Sequence, residues 1–254
     1  MSNFWRNIKD FILSYSYHSG QYFLISFPKT GRTWLMYMIN KMHNNEVLKN
    51  NFIINEHDNS EIILENGYRN NPLDLFNYSM RYKYRRAKVI FLVRDPRDVV
   101  VSHFHQITKR SENPFVFKSI SSFVSDEIIG FNRIIYYYNL WFKNKNIPKD
   151  FLLVKYEDLI LNGVYELKRI SEFLCLDISI ENIRSIYKAS TANKMRDKEL
   201  KGQLMNSNFF GNEKNYLKVR NASVGSYKEE LSKSDIVYCN SKMRELNKYF
   251  NYFE

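Results

Sequence analysis

Three short runs of the chain are almost continuously apolar, and each is followed by a segment with helical periodicity. The runs are YFLISF at 22–27, KVIFLV at 88–93 and FLLVKY at 151–156. Strands that lack polar alternation are typical of parallel sheets buried on both faces. Repeated strand–helix units therefore predict an α/β fold, with a central parallel sheet flanked by helices and ligands at the carboxyl ends of its strands.

Further elements are predicted outside these units. A fourth strand is expected at 51–57, and a long helix is expected at 126–146, ended by Pro148. The aromatic N-terminal stretch predicts a core-packing helix at 4–17. Loops are expected where polar residues dominate and periodicity fades, at 58–80, 108–120 and 193–218.

Nothing in the sequence divides the chain into separate parts. Its 254 residues suffice for one large domain, and neither an internal repeat nor a Pro/Gly/Ser-rich linker interrupts them. We therefore interpret residues 1–254 as a single domain with its core at 21–230. No run of about 18 apolar residues predicts a transmembrane segment, and a cytoplasmic location is expected.

The charge balance is basic, with 38 Lys and Arg against 27 Asp and Glu and a net charge of +11. Such a balance favours an anionic ligand, an acidic surface or nucleic acid. The compact basic cluster RYKYRRAK at 81–88 is interpreted as a solvated approach to the next strand. Because no nucleic-acid-binding motif accompanies the charge, no nucleic acid partner is expected. The His, Cys and Asp spacing predicts no metal site.

The stretch FPKTGRTW at 27–34 connects the first predicted strand to a helix. Gly31 permits a close backbone approach, and the amides of residues 30–34 then point outward at a helix N-terminus, which is a common way to hold an anion. Lys29 adds a positive charge, and Thr30 adds a hydroxyl donor, as does Thr33 further on. The alternative is a plain strand-to-helix turn with a surface lysine.

A second candidate anion site is VRDPRDVVVS at 93–102. Arg94 leaves the carboxyl end of an apolar strand, and a helix that begins near Pro96 would turn Ser102 toward the same crevice. A guanidinium beside a hydroxyl suits a phosphate, because the guanidinium can bind two oxygens at once. Alternatively, the charged residues of 94–98 cap the helix and pair with one another. Two anion sites at the ends of two parallel strands indicate a ligand with phosphates at both ends.

With these two motifs the chain resembles the sulfotransferases that use 3′-phosphoadenosine 5′-phosphosulfate (PAPS). FPKTGRTW is similar to the family loop Y-P-K-S-G-T-T-W, and VRDPRDVVVS matches R-[ND]-P-[KR]-D-V-x-V-S. The family also has Y-E-D-[LM], found here at 156–159, and an R-K-G-x-x-G-D-W-K type segment, found in weakened form as RNASVGSYK at 220–228. The resemblance implies a fold like that of P-loop nucleotide kinases.

The resemblance also implies roles for individual residues. Tyr156 would approach the adenine, Arg94 and Ser102 would hold the 3′-phosphate, and Arg220 would return to it. The 5′-phosphosulfate and adenine end would contact the residues of the first loop, namely Lys29, Thr30, Gly31, Arg32, Thr33 and Trp34. Arg32 replaces a threonine common in the family, and its target is open.

Sulfuryl transfer needs a base for the acceptor proton and a positive charge for the bridging oxygen. Lys29 is placed for the charge. The family commonly uses a histidine between the two phosphate motifs as the base, and His57 lies in that interval. Adjacent Glu56 and Asp58 could orient this histidine or raise its pKa, and Glu56 is the substitute base. Alternatively, His57 is an ordinary loop histidine.

The predicted function is therefore sulfuryl transfer from PAPS, as co-substrate and without a metal, to a hydroxyl or amine of a small-molecule, lipid or glycan acceptor. The alternative enzyme is a P-loop-type nucleotide kinase, against which the missing G-K-[ST] sequence argues. A non-enzymatic basic binder of nucleic acid or membrane surfaces is the third possibility. The sequence identifies neither the acceptor nor the oligomeric state.

Overall fold

A computed structural model describes residues 20–43, 52–58, 64–65, 68–69, 81–109, 117–201 and 223–252. The expected helix at 4–17 and the candidate site residue Arg220 lie outside the described residues.

Four parallel strands form the central sheet, in the order β2-β1-β5-β6. A short antiparallel hairpin, β3-β4, lies within a segment predicted to be a loop. The strand bounds are β1 Tyr22–Ser26, β2 Ile53–Glu56, β3 Leu64–Glu65, β4 Tyr68–Arg69, β5 Lys88–Val93 and β6 Asp150–Lys155. The predicted parallel α/β fold is confirmed. The additional strand expected at 51–57 is present as β2.

Ten α-helices are present in the described ranges. Their bounds are α1 Arg32–Met42, α2 Pro96–Lys109, α3 Ile120–Val124, α4 Phe131–Asn144, α5 Tyr156–Leu161, α6 Gly163–Phe173, α7 Ile180–Lys188, α8 Ala192–Leu200, α9 Tyr227–Glu230 and α10 Lys233–Met243. Two 3₁₀ turns, Tyr82–Tyr84 and Lys248–Phe250, complete the described elements. None of these helices has the length and apolar character needed to cross a membrane.

The two central strands, β1 and β5, are buried on both faces, which explains why their sequences lack polar alternation. Successive side chains point to opposite faces of a strand. Phe23 and Phe91 therefore pack on one face, in a cluster that includes residues of α2, α4 and α10. Leu24 and Ile90 pack on the other face, in a cluster that includes residues of α1, α6 and α7. The two helical layers leave the strand ends as the place for a site.

Two predicted element boundaries were wrong. The helix expected at 126–146 begins at Phe131, because the Asp126 carboxylate accepts hydrogen bonds from the amides of Ile128 and Ile129 and closes a separate turn. The loop expected at 193–218 is helical at its start, as α8, despite its polar composition. The first boundary depends on the contacts of one polar side chain, and the second on a short polar helix. Neither feature gives a strong signal in the sequence.

The basic cluster at 81–88 is not simply a solvated approach to β5. Arg81 is buried, and its Nε donates to Asp58 Oδ2 at 2.5 Å. Lys83 Nζ lies 3.2 Å from Asp58 Oδ1, and the Tyr84 side chain is fully buried against Phe23. The cluster therefore fixes the end of β2 by ion pairs across the sheet edge.

Candidate active site

The loop between β1 and α1 reverses the chain by means of two left-handed residues. Lys29 has φ 72° and Gly31 has φ 99°. A non-glycine residue rarely adopts such a backbone, and its occurrence at a strand end is typical of functional loops. A Cβ at Gly31 would lie 2.7 Å from a ring carbon of Tyr156. Glycine is therefore required here both by the backbone and by the close approach of Tyr156.

Hydrogen bonds inside this loop limit which groups could face an anion. The Thr30 hydroxyl donates to the Phe27 carbonyl at 3.0 Å, and Thr30 is buried. The Trp34 amide donates to the Gly31 carbonyl at 3.0 Å. The Trp34 amide is thus engaged within the helix start, and the amides that precede it form the remaining part of the expected cradle.

Arg94 follows the carboxyl end of β5, as predicted, and hydrogen bonds of its backbone to one tyrosine hydroxyl hold it there. The Tyr138 hydroxyl accepts from the Arg94 amide at 3.0 Å and donates to the Arg94 carbonyl at 2.9 Å. The guanidinium lies over the ring of Tyr156, with 4.5 Å from Cζ to the ring centroid. Its Nε is buried without a hydrogen-bond partner among the described residues. A buried donor in this state fits an anionic ligand.

The aromatic side of the site is formed by Trp34 and Tyr156, whose ring centroids are 5.7 Å apart. Trp34 Nε1 donates to the Ser190 carbonyl at 2.7 Å, which fixes the indole between α1 and the end of α7. The Tyr187 ring lies 6.3 Å from Trp34. These rings provide a surface on which a nucleotide base could stack.

His57 directly follows β2 and lies beside the first loop. Its Nδ1 donates to the Ser26 carbonyl at 2.7 Å, because a carbonyl can only accept. In the neutral ring this bond makes Nε2 the unprotonated nitrogen. Burial, reinforced by the charges of Arg32 and Lys29, lowers the pKa of His57 to about 3. The expectation that neighbouring carboxylates would raise this pKa was wrong.

The two carboxylates beside His57 are committed to other partners. Asp58 pairs with Arg81 and Lys83. Glu56 accepts a hydrogen bond from the Tyr84 hydroxyl and lies 3.5 Å from Lys83 Nζ. Their charges are therefore largely balanced by the basic residues that follow in the chain. As a substitute base, Glu56 would first have to release these donors.

Lys29 Nζ donates to Gln106 Oε1 on α2 at 3.2 Å. Gln106 was not singled out in the sequence, although it lies four residues after Ser102 and so on the same face of a helix. Ser102 itself is half-buried in α2, and its contact with a phosphate stays a prediction. The same holds for the contacts of Thr33 and Arg32 in the first turn of α1.

The first turn of α2 combines the two alternatives considered for residues 94–98. Asp95 caps the helix, since its Oδ1 accepts from the Arg97 amide at 2.9 Å, and it also pairs with the Arg97 guanidinium. Asp98 pairs with Arg94 near the helix start, but most of its hydrogen bonds go to residues outside this turn. Its carboxylate accepts from residues 225–227 near the other end of the chain. Capping thus explains Asp95, whereas Asp98 has a long-range role that the sequence did not predict.

His103 is a buried histidine close to the half-buried His57. Its ring packs between Phe27 and Phe123, with centroid distances of 5.5 Å and 5.7 Å. Burial, together with the charges of Arg133 and Lys29, lowers the pKa of His103 to about 3. His103 therefore packs in the core as a neutral side chain. Among the described residues, no group of His, Cys, Asp and Glu could hold a metal ion.

Both histidine pKa values predict loss of stability in mild acid. The unfolded chain binds protons below the ordinary pKa of 6.5, whereas folded His57 and His103 bind them only near pH 3. The free energy of unfolding is therefore expected to fall as the pH falls from about 6.5 toward 3, by about 2 kcal/mol for each histidine at pH 5. Urea denaturation at pH 7 and pH 5 measures this loss. The variant His103→Gln should show roughly half of it, and a loss equal to that of the wild type would contradict the assignment.

The fold and the site together define a parallel α/β protein with two candidate anion sites at the ends of neighbouring strands. Residues 19–249 match the family described as the sulfotransferase domain. The chain belongs to this family.

Individual relatives are distant. A rabbit (Oryctolagus cuniculus) amine sulfotransferase is 26% identical over 195 residues, which are 68% of this chain and 62% of the relative. Cytosolic sulfotransferase 12 of Arabidopsis thaliana is 23% identical over 251 residues, covering 83% and 72% of the two chains. The match thus spans less than two thirds of the rabbit protein's own length.

Solved structures share the fold over nearly the whole chain. Mouse sulfotransferase SULT7A1, complexed with adenosine 3′,5′-bisphosphate (PAP), has a TM-score of 0.62 at 18% identity and covers 93% of this chain and 88% of its own. A retinol dehydratase complexed with retinol and PAP has a TM-score of 0.64 at 14% identity, with 94% and 85% covered. At these identities the likeness concerns the fold.

Proposed function

We propose that this protein is a PAPS-dependent sulfotransferase that moves a sulfuryl group to a hydroxyl or amine of a small-molecule, lipid or glycan acceptor. The observation that carries the proposal is the position of Tyr156. Its ring lies against the Arg94 guanidinium and also closely approaches Gly31 of the first loop. One side chain thereby joins the two candidate anion sites, as a nucleotide with phosphates at both ends would require.

In this proposal the first loop binds the phosphosulfate end, and PAPS supplies the sulfuryl group to be transferred. Arg94, Ser102 and Arg220 bind the 3′-phosphate, and Tyr156 contacts the adenine. The loop residues are Lys29, Thr30, Gly31, Arg32, Thr33 and Trp34. The two sites use different chemistry, since the loop offers amides at a helix start, whereas Arg94 offers a planar, charged group with several donors.

His57 is the proposed base. The bond from Nδ1 to the Ser26 carbonyl holds the ring in the tautomer whose Nε2 accepts a proton. The low pKa keeps the imidazole neutral at ordinary pH. An anion bound in the loop would offset the positive charges of Arg32 and Lys29, and the pKa of His57 would then rise toward a value better suited to proton transfer.

Calorimetry tests the nucleotide specificity directly. The wild-type protein is expected to bind PAP, and to transfer labelled sulfate from PAPS in a screen of hydroxyl and amine acceptors. Tight binding of ATP with no binding of PAP would overturn the proposal. Magnesium-dependent ATP turnover that is lost on changing Lys29 would establish the alternative, a P-loop-type nucleotide kinase.

Arg94→Ala is expected to weaken PAP binding about 10- to 100-fold, because it removes the charge-assisted hydrogen bonds to the 3′-phosphate. Turnover at saturating PAPS should change far less. Isothermal titration with PAP and AMP separates this effect from general damage, since AMP lacks the 3′-phosphate. Arg169→Ala, which removes an arginine paired with Glu166 on α6, is the matched control. If the affinities for PAP and AMP fell equally, Arg94 would not be a ligand of the 3′-phosphate.

The name of the Arabidopsis relative supports a cytoplasmic location for this protein as well. The acceptor class stays broad, because the relatives are named for amine, hydroxysteroid and flavonol substrates. Acceptor pockets are built largely from loops, which vary among proteins of one fold.

A further inference from the structure

Asp98 connects the start of α2 to a segment that lies far along the chain. The segment comprises residues 223–227 and is called the C-terminal segment below. The Asp98 carboxylate is buried and accepts hydrogen bonds from the Gly225 amide at 2.8 Å, the Tyr227 amide at 3.0 Å and the Ser226 hydroxyl at 3.2 Å. One side chain therefore fixes three consecutive residues of this segment.

The same carboxylate also borders Arg94. Asp98 Oδ2 lies 3.5 Å from Arg94 Nη2, and this nitrogen donates to the Ser223 carbonyl at 3.0 Å. Arg94, Asp98 and the C-terminal segment thus form one bonded unit at the end of β5. The guanidinium is oriented from both sides, by the carboxylate and by the carbonyl of the segment.

The geometry of the segment depends on this carboxylate. A buried charge is costly unless donors surround it, so Asp98 and the segment amides stabilise each other. Gly225 adopts a left-handed backbone with φ 80°, which turns the neighbouring amides toward one acceptor. The ring of Tyr227 then lies under Arg97, 4.5 Å from its Cζ. The segment therefore has one well-defined position against α2.

We infer that Asp98 is a positioning residue, which fixes the C-terminal segment beside Arg94 and so sets the affinity for the 3′-phosphate of the nucleotide. This inference rests on the proposed function. As an anion, Asp98 is no ligand for a phosphate. Its effect operates through the orientation of Arg94 and the placement of the chain that follows Arg220 in sequence.

Two opposite results are possible when the charge of Asp98 is removed. If Asp98 mainly competes with the phosphate for Arg94, then removing its charge strengthens nucleotide binding. If Asp98 positions the segment, the same change weakens binding, and only for ligands that carry a 3′-phosphate. The sign of the effect therefore separates positioning from charge competition.

The experiment compares Asp98→Asn with the wild-type protein by calorimetry, using PAP directly and AMP by competition. PAP and AMP differ only in the 3′-phosphate. The dissociation constant for PAP is expected to rise about tenfold, the scale of one lost charge-assisted hydrogen bond, with AMP binding unchanged. Unchanged or tighter PAP binding, or equal weakening of both ligands, would overturn the inference.

The matched control is Asp235→Asn. Asp235 is also a buried aspartate, and it accepts from the Ser232 amide at the start of α10 and from the Ser121 hydroxyl. This variant is expected to lose stability without changing the ratio of PAP to AMP affinity. If Asp98→Asn fails to fold, Gly225→Ala provides the test, because it strains the left-handed backbone of the segment and leaves Asp98 intact. It should weaken PAP alone. Wild-type protein that binds no PAP would refute the proposed function itself rather than the role of Asp98.

Discussion

Replacing His57 with alanine is expected to lower kcat for sulfuryl transfer about 10³-fold, while the dissociation constant for PAP stays nearly unchanged. The reason is that, in the proposed function, His57 at the end of β2 accepts the acceptor's proton at Nε2, whereas nucleotide binding is assigned to the loop and to Arg94. The measurement is turnover with labelled PAPS at saturating donor, together with calorimetry of PAP binding.

His43→Ala is the matched control, since His43 lies at the C-terminal end of α1, where its ring contacts Phe52. Its turnover should equal that of the wild type. If His57→Ala retained full turnover, His57 would not be the base. Glu56→Gln would then be the next variant, because Glu56 is the other titratable group at the end of β2 with an exposed part.

Replacing Lys29 with methionine is expected to lower kcat about 10²- to 10³-fold, with a much smaller effect on PAP affinity. Methionine keeps an unbranched side chain but removes the charge that would stabilise the bridging oxygen as the bond to sulfur breaks. Because this charge develops in the transition state, its loss should appear in kcat rather than in nucleotide binding.

Lys168→Met on the surface of α6 controls for the loss of one positive charge, since Lys168 pairs with Glu172 far from the loop in sequence. If Lys29→Met weakened PAP binding and left kcat unchanged, Lys29 would be a binding residue only. The bond from Lys29 to Gln106 bears on this result, because in the proposed function the ammonium would exchange the Gln106 amide for the phosphosulfate.

Much of the fold was predictable because it depends on local patterns. β1 and β5 are apolar without alternation, since each packs helices on both faces, and the helices after them carry apolar residues at helical spacing. The start of α4 was mispredicted because the sequence of the turn stabilised by Asp126 resembles the first turn of a helix. The start of α8 was missed because its polar residues give almost no periodic signal.

Within the site, the sequence placed Lys29, Gly31 and Arg94 at strand ends, because strand-to-helix turns have recognisable residues. It did not reveal the state of His57, whose pKa depends on burial and on the charges of Arg32 and Lys29. Its neighbours Glu56 and Asp58 were expected to act on it, but they bind a basic cluster that begins 23 residues after Asp58.

By itself the sequence determined the parallel α/β fold, the two candidate anion loops and the resemblance to sulfotransferases, since all of these follow from residues close together in the chain. Only the tertiary structure decided that Tyr156 joins the two loops, that Lys29 contacts Gln106 and that Asp98 holds residues 225–227. These contacts join residues separated by 62 to 129 positions along the chain. Long-range pairs of this kind depend on how the strands and helices pack, and no local pattern encodes that packing.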